Sequence, residues 1–299
     1  MDRDLLAHLP ILLSVARRGG FAAAAGELGL SPSAVSHAVR LVEDRLGQPI
    51  FARTTRSVAL TETGERLLAG IGPALADLTA CWEAARHRQG QISGLLRLNV
   101  PSLALPLGLT RVMAAMAERF PDVQVEAFVN NGLTDIVAEG FDAGVRLGEM
   151  IDADMIALRL TPPFDAILVA APAYIAQHGQ PGTLADLAAH RCIGFRQIRA
   201  GGLYRWDLVA EGRDVSLAVP STSIVNDPLA ALDLARAGAG IAYLFEPLAR
   251  ADLAAGRLIH LLPESAVTEP GLFLYYPRRS RDAPKLRAFI TTARDVLKG

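Results

Sequence analysis

The chain has 299 residues, of which 51% are hydrophobic and 20% charged, and it carries 30 Lys plus Arg against 31 Asp plus Glu. That composition excludes a long disordered or low-complexity protein, and a net charge of −1 excludes binding to nucleic acid by bulk charge alone. The length fits two domains.

Residues 5–46 are dense in Ala and Leu at helical spacing and predict three short helices. Pro10 must begin or kink the first, which ends at Gly19-Gly20, and the second runs from Phe21 to about Leu28. Gly29-Leu30 form a tight turn before Ser31, an N-cap candidate, and Pro32, whose missing N–H costs nothing at a first helical position. Gly47 stops the third helix after Leu46. Two helices joined by a short Gly-containing turn predict a helix-turn-helix, and the segment Pro49 to Leu60 predicts a β-hairpin wing beside it.

Thr61 then caps a long helix in which Leu68, Ile71, Leu75, Leu78, Trp82 and Ala85 recur at steps of three and four. Such a stripe, read as lying too far from a local core, predicts dimerisation, and Gly72-Pro73 predicts a kink. A polar break from Gln89 to Gly94 marks a domain boundary. Beyond it, strands at Leu95 to Val100 and Val123 to Val129 flank a helix from about Ala104 to Arg119, and the alternation continues through Ile167 to Ala170 and Asp227 to Ala237. The expected fold is therefore an N-terminal all-α winged helix-turn-helix over 1–60 and a linker and dimerisation helix over 61–91. An α/β effector domain over 92–299 follows, with one lobe from 92–161 and 267–299 and the other from 162–266.

Other features bound the function. The longest stretch free of ionised side chains, 166–185, is broken by Pro172, Gly179 and Pro181, so no membrane-spanning helix is expected. The start, Met1-Asp2-Arg3-Asp4, has no secretory pattern, which makes the cytoplasm the expected compartment. Cys81 and Cys192 read as two buried thiols. No two of the six histidines stand at helical ligand spacing, and Gly238-Ala239-Gly240 lacks the rest of a dinucleotide fingerprint, so neither metal, cofactor nor enzyme activity is expected.

In the third helix Ser33, Ser36, His37 and Arg40 share one face, opposite Val35, Val39, Val42 and Leu46. A polar, short-armed face of this kind suits a DNA major groove, with Arg40 able to read guanine, although any solvated amphipathic helix has the same pattern. Ser31 precedes that face, and the wing carries Arg53, Thr54 and Arg56, the arginines being placed to hold phosphate.

The order Gly20-Phe21, Ala24-Ala25, Leu28, Leu30-Ser31, Val35-Ser36, Glu43, Leu46-Gly47, Phe51-Ala52-Arg53, Leu60-Thr61 and Gly64 resembles the LysR-type transcriptional regulators. The layout beyond, a linker helix and a two-lobed domain resembling periplasmic binding proteins, agrees over essentially the full length. Departures fall at Gly20, where the family usually has Ser, at Ala22, at Val42 and at His37. The resemblance implies a double-stranded DNA operator, a small-molecule effector between the lobes, and homodimers that assemble into homotetramers and bend promoter DNA. Ser102 and Leu103 match the family's effector position, where a hydroxyl and free N–H groups at a helix start suit a carboxylate, though Ser102 also reads as a plain N-cap.

Asn130 and Asn131 could present amides to the same cleft or simply form a turn. Arg146 must pair if buried, with Asp142 or with an anionic effector, and Phe195, Asn226 and Asp227 could line the opposite lobe, Asp227 equally fitting an N-cap. The reading is an effector-controlled regulator with an anionic effector. The rival is a ligand-binding or transport-associated protein without operator binding.

Overall fold

The computed structural model describes residues 3–53, 58–86, 92–148, 155–197 and 201–297. They fall into two compact units, Met1–Gln91 with Asp135–Phe141, and Ile92–Thr134 with Asp142–Gly299. Among the described residues no helix is long and apolar enough to cross a membrane.

The first unit begins with α1 (Arg3–Leu6), α2 (Leu9–Arg18), α3 (Phe21–Leu28) and α4 (Pro32–Leu46). Where one helix was expected at the start there are two, because Pro10 takes an initiating position in α2. Gly19, Gly29 and Gly47 end α2, α3 and α4 with φ of 66°, 64° and 71°, a conformation that costs glycine no steric strain. The Ser31 hydroxyl caps α4 by accepting from Ala34 N at 3.2 Å. A hairpin of β1 (Phe51–Arg53) and β2 (Val58–Leu60) follows, then α5 (Glu62–Arg86), which continues through Pro73. Thr61 starts α5 by accepting from Gly64 N at 3.0 Å. Leu12, Val15, Val35, Val39, Val42, Ile50 and Phe51 close the core, whereas Leu46, expected on the same apolar face, is 41% exposed at the last residue of α4.

In the second unit the strands are β3 (Gly94–Val100), β4 (Val123–Val129), β5 (Ala143–Leu147), β6 (Met155–Arg159), β7 (Phe164–Ala170) and β8 (Cys192–Phe195). They continue as β9 (Trp206–Ala210), β10 (Arg213–Leu217), β11 (Ser221–Val225), β12 (Ile241–Phe245), β13 (Ile259–Leu261), β14 (Val267–Glu269) and β15 (Leu272–Pro277). The helices are α6 (Thr110–Arg119), α7 (Pro172–His178), α8 (Pro228–Arg236), α9 (Glu246–Ala254) and α10 (Pro284–Leu297). One sheet runs β4-β3-β5-β15-β6, and the other runs β11-β8-β12-β7-β13 with β14 also on β7, so each organises one lobe. The helix expected from Ala104 is broken: a 3-10 turn and a π turn precede α6, where Gly108 holds φ 124°.

The chain crosses between the lobes twice, after β6 and after β14, and the two crossings are bonded together. Leu160 N donates to Leu272 O at 2.8 Å, and Leu272 N donates to Thr161 Oγ1 at 2.8 Å. A Cβ on Gly271, whose φ is 89°, would lie 2.6 Å from Pro162 O, so glycine is required for this close approach.

Candidate functional site

In the first unit α4 buries Val35, Ala38 and Val39 and leaves Ser33, His37 and Arg40 exposed, with Ser36 half-buried. Two acids to which the sequence reading gave no site role, Glu27 and Glu43, hold this face in place. Glu27 on α3 accepts from Ser14 Oγ at 2.7 Å, from Arg18 Nε at 3.0 Å and from Arg17, tying α3 to α2. Burial pushes its carboxyl pKa up, but the hydrogen bonds from Ser14 and Arg18 and the charges of Arg17 and Arg18 outweigh that and hold it below the usual range. Glu43 accepts from Ile50 N at 2.9 Å and Phe51 N at 3.1 Å, fixing the hairpin to α4. Ser31 is occupied as a cap and shares a 2.9 Å hydroxyl contact with Ser33. Arg53 lies in β1 with its side chain outside the described residues, as are Thr54 and Arg56 altogether.

The dimerisation stripe needs one correction. Leu68 is 6% exposed and packs in the core of the first unit, because the first turns of α5 lie against α2 and β2 instead of leaving the core behind. Ile71 and Leu75 are half-buried, Leu78 is 64% exposed, and the Trp82 side chain lies outside the described residues.

In the second unit a cavity of about 400 Å³ is lined from both lobes. Leu103, Asn131, Arg146 and Phe195 line it as residues picked out from the sequence, whereas Ser102, Asn130, Asn226 and Asp227 do not. Ser102 is buried, its hydroxyl has no hydrogen-bond partner and its N–H donates to Asn131 Oδ1 at 2.9 Å. The free helix-start N–H expected there is therefore taken. Asn130 is a turn former: its Nδ2 donates to Thr134 Oγ1 and its Oδ1 accepts from Gly132 N, both at 2.9 Å. Asp227 caps α8, accepting from Leu229 N at 2.7 Å. Asn131 is the latch between the lobes, since its Nδ2 donates to Asn226 O at 3.1 Å and Asp227 Oδ2 at 3.2 Å.

Arg146 is 4% exposed. The expected partner Asp142 instead accepts from Arg97 N at 2.8 Å and meets Lys285 Nζ at 3.2 Å. The guanidinium is held by neutral oxygens: Nη1 donates to Val145 O at 2.7 Å, and Nη2 to Gly132 O at 2.7 Å and to Asn99 Oδ1. Its Nε has no hydrogen-bond partner, and among the described residues no carboxylate forms an ion pair with it. Burial pulls its pKa down, yet arginine stays charged at neutral pH, so a buried cation faces the cavity.

The other wall was not legible in the sequence. Trp206 and Tyr243 stack with centroids 5.8 Å apart, and Tyr243 Oη donates to Asp207 O at 3.0 Å. Tyr204 Oη donates to Asp207 Oδ2, and burial followed by that bond raises the phenol pKa, so it remains a donor. Glu269, at the end of β14, lines the cavity as well. A strand of alternating apolar residues from Trp206 was the available signal, but only the Glu211-Gly212 turn, with φ of 51° and 72°, brings its hairpin together. Cys192 is buried and its thiol is pushed up to about 12 by burial, which leaves it inert.

In chain order a helix-turn-helix unit precedes a two-lobed domain with a cavity between its lobes, the domain order of a ligand-responsive transcription factor. The chain belongs to the LysR family of transcriptional regulators: residues 6–65 match the family model "Bacterial regulatory helix-turn-helix protein, lysR family" and residues 89–298 match "LysR substrate binding domain". It is similar to a Pseudomonas aeruginosa protein described provisionally as a transcriptional regulator, 39% identical over 98% of this chain and 96% of the relative. It is also similar to the HTH-type transcriptional regulator PgrR of Escherichia coli, 34% identical over 97% of each chain. Among solved structures, CrgA, a LysR-type transcriptional regulator from Neisseria meningitidis, aligns with a TM-score of 0.61 at 26% identity over 97% of this chain and 98% of that one. The protein is thus a DNA-binding transcriptional regulator with a substrate-binding domain, and the reading without operator binding is set aside.

Proposed function

We propose that the protein is a cytoplasmic, non-enzymatic regulator whose operator binding is controlled by a small molecule carrying an anionic group, held between the lobes. The observation that carries this reading is Arg146, a buried cation without a carboxylate partner at the wall of a cavity of about 400 Å³. An anion there would supply the charge that the fold withholds. Ser33, Ser36, His37 and Arg40 read the operator, the wing arginines Arg53 and Arg56 hold phosphate, and Ile71, Leu75, Leu78 and Trp82 form the seam of a homodimer that assembles into a homotetramer. The domain limits 1–60, 61–91 and 92–299 belong to the same reading.

Coupling follows if the ligand contacts both lobes, because it then favours one lobe arrangement over the other by its difference in affinity. The test is operator affinity by fluorescence anisotropy, with an operator selected from a random duplex pool, in the absence and presence of a panel of small carboxylates. At least one carboxylate should change the affinity. If none does, the anionic-effector reading fails.

A further inference from the structure

The cavity carries charges of both signs. Arg146, on β5, faces it from one lobe, and Asp207, on β9, and Glu269, which is 9% exposed at the end of β14, face it from the other side. The Asp207 carboxylate accepts the Tyr204 hydroxyl and forms no ion pair with any cation among the described residues. Arg146 likewise meets no carboxylate among them. Beside the acids stand the rings of Tyr204 and Tyr243, whose centroids are 6.0 Å apart, with Trp206 stacked on Tyr243. Aromatic faces flanked by carboxylates attract a positive charge, as ring quadrupole and anion act with the same sign.

These features discriminate between ligand classes. A purely apolar ligand would strip water from both charges and satisfy neither. A dicarboxylate would satisfy Arg146 while placing its second charge against Asp207 and Glu269, and like charges in a partly buried site repel. A molecule with an anion at one end and a cation at the other meets both.

We propose that the cavity takes a zwitterionic amino compound, an amino acid or short peptide, with its carboxylate towards Arg146 and its ammonium group among Asp207, Glu269, Tyr204 and Tyr243. The proposal rests on reading the cavity as the effector site. It adds a cationic end to the anionic one.

The test uses the full-length protein and three forms of each probe: proteinogenic amino acids and their L-alanyl dipeptides as free zwitterions, as N-acetyl acids and as C-terminal amides. Binding is followed by thermal shift and isothermal titration, with tryptophan fluorescence as a check, since Trp206 lines the cavity. At least one zwitterion should bind, and its N-acetyl and amide forms should each bind at least about tenfold more weakly, because each lacks one charge-assisted contact. Asp207→Asn should narrow the ratio between zwitterion and N-acetyl acid, and Arg146→Gln should narrow the ratio between zwitterion and amide. N-acetyl acids that bind as tightly as the zwitterions overturn the cationic end while leaving the anionic-effector reading intact. Failure of every zwitterion to bind overturns the proposal, and the operator titration with carboxylates then judges the wider reading separately.

Discussion

Truncating Leu68 and Leu78 separately should have opposite consequences, although both belong to one stripe of α5. Leu68 is 6% exposed within a core that includes Leu12, Val15 and Phe51, so Leu68→Ala removes a nearly full transfer contribution and leaves a cavity, at a cost of about 2–5 kcal/mol to the first unit. Leu78 is 64% exposed within its own chain, so Leu78→Ala should change the stability of that unit by less than about 0.5 kcal/mol. On a twofold seam, however, each substitution is felt twice, and a loss of about 1–2 kcal/mol per copy raises the dimer dissociation constant by roughly 30- to 1000-fold. Hydrogen exchange in α2 reports the stability, and sedimentation equilibrium reports the association. The reasoning is refuted if Leu68→Ala weakens association while exchange in α2 is unchanged, or if Leu78→Ala leaves the dimer intact.

Further predictions concern the supports of the two sites. A Cβ on Gly64 would lie 2.2 Å from Ile50 O, so Gly64→Ala must move backbone and should cost about 1–3 kcal/mol, whereas Gly26→Ala meets open space inside α3 and should be neutral or stabilising in thermal unfolding. The Glu27 pKa is depressed in the folded state, so its contribution is fully present above its ordinary value near 4.5 and is lost as pH falls through the folded value. Circular dichroism of wild type against Glu27→Gln should therefore show a flatter acid limb in the variant, and parallel limbs would contradict the assignment. Asn131→Ala removes the bonds to Asn226 and Asp227, and faster exchange at the Ser102 amide, by about 1–3 kcal/mol of opening free energy, is the expected sign.

What could be read from the residues follows the range of the interactions. The turn, cap and stop of α4 are local, since Ser31, Pro32 and Gly47 act on neighbours within the same few residues, and they lie where the sequence puts them. Leu68 misled because a periodic stripe records which face is apolar and not what covers it. Arg146 announced a need for a partner, but its oxygens come from Asn99 and Gly132, 47 and 14 positions away, which spacing alone does not reveal. The aromatic and acidic wall was hidden for the same reason: Trp206, Tyr243 and Glu269 meet only after β9, β12 and β14 have been brought together.

The central claim, that the polar face of α4 reads a specific operator, is tested most directly by selecting bound sequences from a random duplex pool with the full-length protein, at several salt concentrations to separate phosphate attraction from base reading. The account predicts enrichment of an interrupted palindrome, and Arg40→Ala should relax one position of each half-site at a cost of about 1–3 kcal/mol. A folded, oligomeric protein that enriches no sequence, or an Arg40→Ala variant with unchanged affinity and preference, would contradict it.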